Sequence, residues 1–143
     1  MSMPREPMMI KAITIRQPWA WLIIAGHKDI ENRSWQTGFQ GRALIHAGKS
    51  LDESGVAFMK KMGIAAPERF DLGGIIGSVE IVGCVSKSAS RWFFGPFGFV
   101  LRDPISIPFF PCRGALSFWN FDETLLATSQ PNQTTHPAPA LAS

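Results

Sequence analysis

The segment KAITIRQPWAWLIIAGHKDIENRSW, residues 11–35 of the 143-residue chain, restricts the possible folds more than any other stretch. Ile13 and Ile15 alternate with polar residues, which predicts a short β-strand with one apolar face. Residues 18–25 open with a proline that suits the first helical position, and Gly26 can adopt the left-handed conformation that ends a helix. Because this short helix is apolar on nearly all sides, it must be largely buried. The sequence therefore predicts a helix packed inside or against a sheet, directly after the first strand.

A charged strand is predicted immediately after this helix. The residues DIENRSW alternate again, which places Asp29, Glu31, Arg33 and Trp35 on one face and Ile30 on the other. The charged face thus ends in a tryptophan, and the lysine that precedes the strand lies at the turn.

Strands outnumber helices in the remainder of the chain. One amphipathic helix is predicted over LDESGVAFMKKMG, whose acidic start suits the positive end of a helix. A glycine-rich run should curve strongly, and Pro104 should break a later strand. The predicted strands are RALIHAG, LGGIIGSVEIVGCVSK, FGFVLRDPISI and GALSFWNFD. This content predicts an α+β domain built as a small β-barrel, with a helix that plugs or flanks it.

One domain accounts for the chain. Its length and its 45% hydrophobic content are those of a single globular domain. We place this domain at residues 10–123, after a flexible N-terminus at 1–9. Residues 124–143, rich in Pro, Ser, Thr and Ala, are predicted to be a disordered tail.

Several classes of function are disfavoured by the composition. Cys84 and Cys112 lack the spacing of a zinc cluster, and His27, His46 and His136 share no metal-ligand spacing. We predict no metal and no cofactor. No apolar stretch approaches the roughly 20 residues of a membrane span, and no signal peptide precedes the domain. A cytoplasmic protein without a membrane partner is expected, and its oligomeric state is left open.

Positive charge is concentrated in the first third of the chain. Residues 1–50 carry seven Lys or Arg and three acidic residues, whereas residues 51–143 carry seven and eight. An uneven basic surface is typical of proteins that bind phosphate-bearing ligands. An excess of basic over acidic residues of this size is also common on protein surfaces in general, so charge alone does not identify the ligand.

The region around the charged strand resembles the ASCH family, the activating signal cointegrator homology domains of the PUA-like superfamily. The family hallmark G-x-K-x-x-E-x-R is present as Gly26, Lys28, Glu31 and Arg33. The stretch RQPWA precedes the hallmark, RSW ends it, and QGRALIHAG and GALSFW match later family patterns. The resemblance covers residues 11–123 and implies a PUA-like mixed barrel.

The resemblance also implies a ligand cleft between the hallmark strand and the first helix, where nucleic acid or nucleotide-like ligands would bind. Lys28 suits a phosphate or a base carbonyl, and Arg33 offers a planar fork for two parallel hydrogen bonds. Glu31 can accept from the amino group of a base. Alternatively, Glu31 and Arg33 form an ion pair that braces the sheet, worth at most about 1 kcal/mol if exposed.

Four further polar residues are candidate ligand contacts. Arg16 and Gln17 lie at the corner between the first strand and the helix, although Gln17 also suits a helix cap. His46 is either a ligand contact or a hydrogen-bonded core histidine. Lys49 would contact a phosphate or be an ordinary surface lysine.

Aromatic side chains supply base stacking in single-stranded nucleic-acid sites. Trp35 is the first candidate for a stacking platform because it follows Arg33 on the same strand face, and Trp92 and Phe97 come next. The remaining tryptophans, predicted to lie in the core, are Trp19, Trp21 and Trp119.

Three functions follow from the resemblance and the residues. The first is a module that binds RNA, single-stranded DNA or a modified nucleotide. The second is a metal-independent hydrolase acting on RNA or an acylated nucleoside, with Lys28, Glu31 and Glu80 as candidate catalytic residues. The third is a protein-interaction or transcription-coregulator domain that uses an exposed patch of Trp92, Phe93, Phe94 and Phe97.

The residues favour binding over hydrolysis. One family branch, similar to N4-acetylcytidine amidohydrolases, has a nucleophilic threonine where this chain has Glu31. Another branch is thought to cleave RNA with Lys, Tyr and Ser, and this chain contains no tyrosine. Glu31 as a general base with Lys28 as electrostatic partner remains the hydrolytic alternative.

Overall fold

The computed structural model describes residues 6–129 as a curved sheet with three short helices. The elements are β1 Met9–Gln17, α1 Trp19–Ile24, β2 Ile30–Arg33, β3 Gly41–Leu51, α2 Glu53–Lys61, β4 Gly74–Val85, β5 Phe97–Pro111, β6 Phe118–Asp122 and α3 Thr124–Ser129. The predicted α+β class is confirmed, as is the short helix directly after the first strand.

The sheet has the strand order β2-β5-β4-β3-β1-β6. The β1–β3 pair is parallel and the other pairs are antiparallel, so the sheet is mixed as predicted. Register shifts at three places between β4 and β5 increase its curvature. Although β2 and β6 are not paired with each other, Trp35 after β2 contacts Phe118 of β6, with ring centroids 5.8 Å apart. The sheet is therefore barrel-like without being closed by strand pairing.

Helix α1 is buried because its apolar residues face the curved sheet. Ala20, Leu22 and Ile23 are at most 1% exposed. The side-chain carbonyl of Gln17 accepts from the amide N–H of Trp21 at 2.8 Å, which satisfies one of the unpaired donors at the helix start. Gly26 has φ +89°, the left-handed conformation predicted to end this segment.

Two of the three buried apolar clusters in the described residues lie on opposite faces of the sheet. The inner cluster includes Ile13, Ile15, Ile45, Ile81 and Phe99, together with the buried side of α1. The outer cluster is smaller and is built around Ala12, Leu44, Ile75 and Phe121. The alternation of Ile13 and Ile15 with Ala12 therefore places β1 between both clusters.

Pro104 does not break the last long strand, contrary to prediction. β5 runs continuously through it, and the register shifts so that Asp103 and Pro104 together oppose one residue of β4, Val79. A proline has no N–H to donate to the hydrogen-bond ladder between strands. At a bulge the extra residue is unpaired, so no N–H is required there.

The structure also differs from the predicted flexible ends. Residue Met8 donates its N–H to an Asp122 carboxylate oxygen at 3.2 Å, and β1 begins at Met9. Helix α3 occupies the first six residues of the predicted tail. The rest of the two predicted flexible segments, residues 1–5 and 130–143, lies outside the described residues.

Candidate functional site

A cleft of about 430 Å³ lies where β1 and the start of α1 face β2. Five of the predicted ligand-binding residues line it: Arg16, Lys28, Glu31, Arg33 and Trp35. Their binding role stays a prediction, but the fold brings them to one place.

The floor of this cleft is a charged cluster of Lys28, Glu31 and Arg33, hereafter the charged triad. Lys28 Nζ lies 3.1 Å from Glu31 Oε1, and Arg33 Nε lies 3.0 Å from Glu31 Oε2. The three side chains are 3%, 11% and 21% exposed, respectively. Lys28 also donates to the backbone carbonyl of Ile30, and Arg33 Nη2 donates to that of Thr14 at 2.9 Å. Glu31 therefore holds two cations in a largely buried position.

The turn between α1 and β2 places these charges. The backbone N–H of Lys28 donates to the carbonyl of Leu22 at 3.0 Å, which folds the chain back under the helix. Glu31 and Arg33 then pair with Phe99 and Phe97 of β5, two residues apart along β2. Because alternate residues share a strand face, both side chains reach the cleft.

Lys28 and Arg33 of the charged triad have unused hydrogen-bond donors. An ammonium group has three donors and a guanidinium five, and the contacts within residues 6–129 use two of each. Two cations and one carboxylate also leave a net charge of +1. The cleft floor is therefore suited to a ligand rich in hydrogen-bond acceptors.

The rim of the cleft carries Arg16 and Trp19, and the carboxylate of Asp52 contacts both from outside the cleft lining. Arg16 is 61% exposed on its side chain, and its Nη2 lies 3.5 Å from Asp52 Oδ2. Hydrogen bonds from the Ser54 side chain and then from the Trp19 indole lower the pKa of Asp52 to about 2, against the effect of its burial. Asp52 thereby stays charged and holds Trp19 through a 3.0 Å bond to the indole nitrogen.

Trp19 packs against the core, as the sequence predicted, and is also part of the cleft wall. Its ring centroid is 5.9 Å from Lys28 Nζ, within reach of a cation–π interaction. Sequence reasoning also missed Asn32 and Ser34, which line the cleft. No sequence pattern pointed to Asn32, which is recognisable only by its contacts with a distant loop.

Two predicted contacts, Gln17 and His46, lie away from the cleft. Gln17 is 1% exposed, caps α1, and lines a separate cavity of about 350 Å³. His46 is 2% exposed; its ring nitrogens lie 3.2 Å from the Thr14 hydroxyl and 2.7 Å from the Cys112 carbonyl. Both residues have the structural role that the sequence left open as their alternative.

Lys49 and Glu80 are also separated from the charged triad. Lys49 is exposed near the end of β3, and neither residue lines the cleft. Glu80 Oε1 lies 3.5 Å from Arg42 Nε across the β3–β4 pair. The second carboxylate considered for hydrolysis is therefore part of a surface ion pair.

The predicted aromatic candidates are more buried than expected. The Trp35 ring packs against Phe99 and Phe118, with centroids 5.2 and 5.8 Å away and interplanar angles of 70° and 85°. Trp92 is 2% exposed, so its prediction as a stacking platform or as part of an exposed patch was wrong. Phe97 is partly buried.

The described part of the chain has neither a metal-binding cluster nor a membrane-spanning helix. No group of three or more His, Cys, Asp or Glu side chains within residues 6–129 is arranged to hold a metal ion. None of the helices described is long and apolar enough to cross a membrane.

Comparison with solved structures supports the fold. The chain is similar to the crystal structure of ASCH from Zymomonas mobilis, with a TM-score of 0.51 and 16% identity. The match covers 84% of this chain and 94% of that one. The PUA-like barrel implied by the sequence is consistent with this likeness.

Comparison of sequences identifies the family. Activating signal cointegrator 1 from Homo sapiens is 26% identical over 130 residues, which covers 79% of this chain and 22% of that protein. The Mus musculus protein of the same name matches to the same extent, so the chain spans 22% of the length of these relatives. The model of the ASCH domain matches residues 13–100, which include the whole charged triad. The chain belongs to the ASCH domain family.

Proposed function

We propose that the cleft binds RNA, single-stranded DNA or a modified nucleotide. The observation that carries the proposal is the charged triad, which puts two cations and their unused donors at the floor of a cleft. Phosphate oxygens and base carbonyls are the acceptors that lysine and arginine bind in nucleic acids. Arg16 adds a largely exposed guanidinium at the rim, next to the Asp52 carboxylate.

The size of the cleft and the family support the same ligand class. Its volume of about 430 Å³ falls in the range of roughly 300–1,000 Å³ that is typical of small-molecule sites. The ASCH family is suggested to bind RNA. A nucleotide unit of a longer chain fits both observations.

Binding is favoured over hydrolysis by the arrangement of carboxylates. A general base needs an oxygen directed at the attacking water. Both Glu31 oxygens accept from cations, and Glu80 is paired with Arg42 outside the cleft. The cleft thus offers a charged binding surface without a free carboxylate pair.

Binding is tested by fluorescence anisotropy with labelled single-stranded RNA, single-stranded DNA and duplex DNA at about 50 and 200 mM salt. We expect binding whose affinity falls as the salt concentration rises, because phosphate contacts release counterions. Arg16→Gln should weaken binding and reduce the salt slope by about 1, since it removes one cation. Lys61→Gln, which removes an exposed cation at the end of α2, is the matched control.

Product analysis separates binding from hydrolysis. The same RNAs and acylated cytidines are incubated with the protein and examined for cleavage or deacylation. Binding of the nucleic acid without any cleavage or deacylation product supports the proposal. Turnover that is lost in Lys28→Ala, or the absence of salt-dependent retention, contradicts it.

A further inference from the structure

We infer that Phe94 is the stacking platform of the cleft, and that the cleft takes an unstacked base. The inference rests on the proposed function and adds to it the form of the ligand. It assigns the stacking role to a residue in the loop before β5 instead of to Trp35.

Phe94 lines the cleft and yet is 62% exposed. The other two aromatic residues of the cleft wall, Trp19 and Trp35, are both partly buried. An aromatic ring left this open at the rim of a polar cleft is an apolar surface available to a ligand.

The loop that carries Phe94 is held in place by the side chain of Asn32. The Asn32 side-chain oxygen accepts from the N–H groups of Phe94 and Gly95 at 2.7 and 3.0 Å. Its amide nitrogen donates to the carbonyl of Trp92 at 2.9 Å, and the Trp92 ring is buried beside it. Because Asn32 lies on β2 beside the charged triad, the position of Phe94 is tied to the cleft floor.

A second contact fixes the start of the same loop. The Ser90 hydroxyl donates to Asp29 at 2.6 Å and accepts from the N–H of Trp92 at 3.1 Å. Ordering a flexible loop on binding lowers affinity, so a loop ordered in advance favours it. Phe94 is thus presented by a pre-arranged segment.

The orientation of the ring leaves a face free. Phe94 and Phe58 of α2 have ring centroids 5.8 Å apart at an interplanar angle of 74°. An edge-to-face contact of this kind engages at most one face of the Phe94 ring. Trp35, by contrast, has two such neighbours, Phe99 and Phe118.

The cleft therefore combines a flat apolar surface at its rim with charged hydrogen-bonding groups at its floor. A nucleobase has both complementary features, a π face and a polar edge. In a duplex the faces are covered by stacked neighbours, so an unpaired or extruded base fits this arrangement and a duplex does not.

The experiment compares two labelled single strands of about eight nucleotides, one with bases and one abasic, so that both carry the same phosphates. Wild-type protein should bind the base-bearing strand more tightly than the abasic strand. Phe94→Leu, which keeps an apolar side chain but removes the π face, should weaken binding of the base-bearing strand about 5- to 150-fold. Its affinity for the abasic strand and its salt slope should not change.

Three further variants test specificity. Phe94→Trp should restore the affinity, and Leu116→Ala, which removes an exposed apolar side chain away from the cleft, should have no effect. Asn32→Ala should reproduce the loss seen in Phe94→Leu, and the double variant should lose no more than either single one. Additive losses would contradict the positioning role of Asn32.

The outcomes distinguish the inference from the function on which it rests. One outcome is that wild-type protein binds both strands equally, that Arg16→Gln weakens binding and that Phe94→Leu does not. In that case the cleft binds phosphates, and the inference is wrong. If wild-type protein binds neither strand, the proposed function and the inference both fail. A loss confined to the base-bearing strand supports both.

Discussion

Replacement of Glu31 by glutamine tests whether the charged triad is a buried electrostatic unit. The substitution preserves size and shape but removes the negative charge between two cations. Lys28, only 3% exposed on its side chain, would then face Arg33 without a counter-charge. Removal of one partner of a buried pair costs much more than a surface pair is worth, because the remaining charge is left desolvated.

The magnitude follows from the exposure of the groups. Breaking a fully buried pair costs about 3–5 kcal/mol. Arg33 is 21% exposed and the cleft admits water, so we expect the lower end, about 3 kcal/mol of lost unfolding free energy. Glu80→Gln is the matched control, since it removes a carboxylate from the Arg42 pair, where the side chains are 30% and 38% exposed. A surface pair of this kind should cost less than about 1 kcal/mol.

Urea unfolding followed by tryptophan fluorescence measures both variants, because the chain has five tryptophans. With a slope of about 1–3 kcal/mol/M, Glu31→Gln should lower the urea midpoint by about 1–3 M and leave the slope unchanged. Equal midpoints for Glu31→Gln and Glu80→Gln would refute the argument that burial makes the charged triad costly to break.

A double variant separates the charge from the packing. Lys28→Met with Glu31→Gln removes the uncompensated ammonium, so it should be about 1 kcal/mol more stable than Glu31→Gln alone. A further loss of stability would mean that Lys28 acts through its packing against Trp19 and not through its charge.

The helix cap and the contact between the helices give two further predictions. The pKa of Asp52 is lowered to about 2 by hydrogen bonds from Ser54 and Trp19, so its stabilising effect is complete above pH 4 and is lost as the pH falls from about 4 to 2. Asp52→Ala should cost about 1 kcal/mol at pH 7 in urea unfolding, with a smaller difference from wild type near pH 2. Gly55→Ala should cost about 1–3 kcal/mol despite the better helix former, because a Cβ would lie 2.8 Å from the Trp19 ring. Gly83→Ala, where a Cβ would have no neighbour within 4 Å, is the control, and equal thermal midpoints for the two alanine variants would contradict the packing argument.

The start of the domain could be predicted in detail because its signals are local. Alternation at Ile13 and Ile15, the apolar helix and the left-handed Gly26 all depend on neighbouring residues. The hallmark strand was predictable for the same reason, and Glu31 and Arg33 do reach one cleft, whereas Asp29 lies outside it. Short-range periodicity determines element type and strand face without knowledge of the distant chain.

The errors depend on contacts between distant residues. Pro104 is accommodated because the register with β4 shifts there, and nothing near the proline indicates such a shift. Trp92 was expected to be exposed and is 2% exposed, whereas Trp19 packs against the core as expected and also lines the cleft. The burial of an aromatic residue depends on which distant residues pack over it. The contact that positions the Phe94 loop is of the same kind, because Asn32 and Phe94 are 62 residues apart in the sequence.

The alternatives posed by the hallmark, bracing or binding, are not exclusive. Arg33 Nη2 donates to the carbonyl of Thr14 on β1, a strand that β2 does not pair with. This bond and the ion pair with Glu31 hold the two walls of the cleft together. They use two of the five guanidinium donors and leave three for a ligand. Because the same side chain closes the fold and offers ligand contacts, a loss of binding in an Arg33 variant would not by itself identify a contact. Arg16 at the rim and Phe94 in the loop are the residues whose substitution separates recognition from folding.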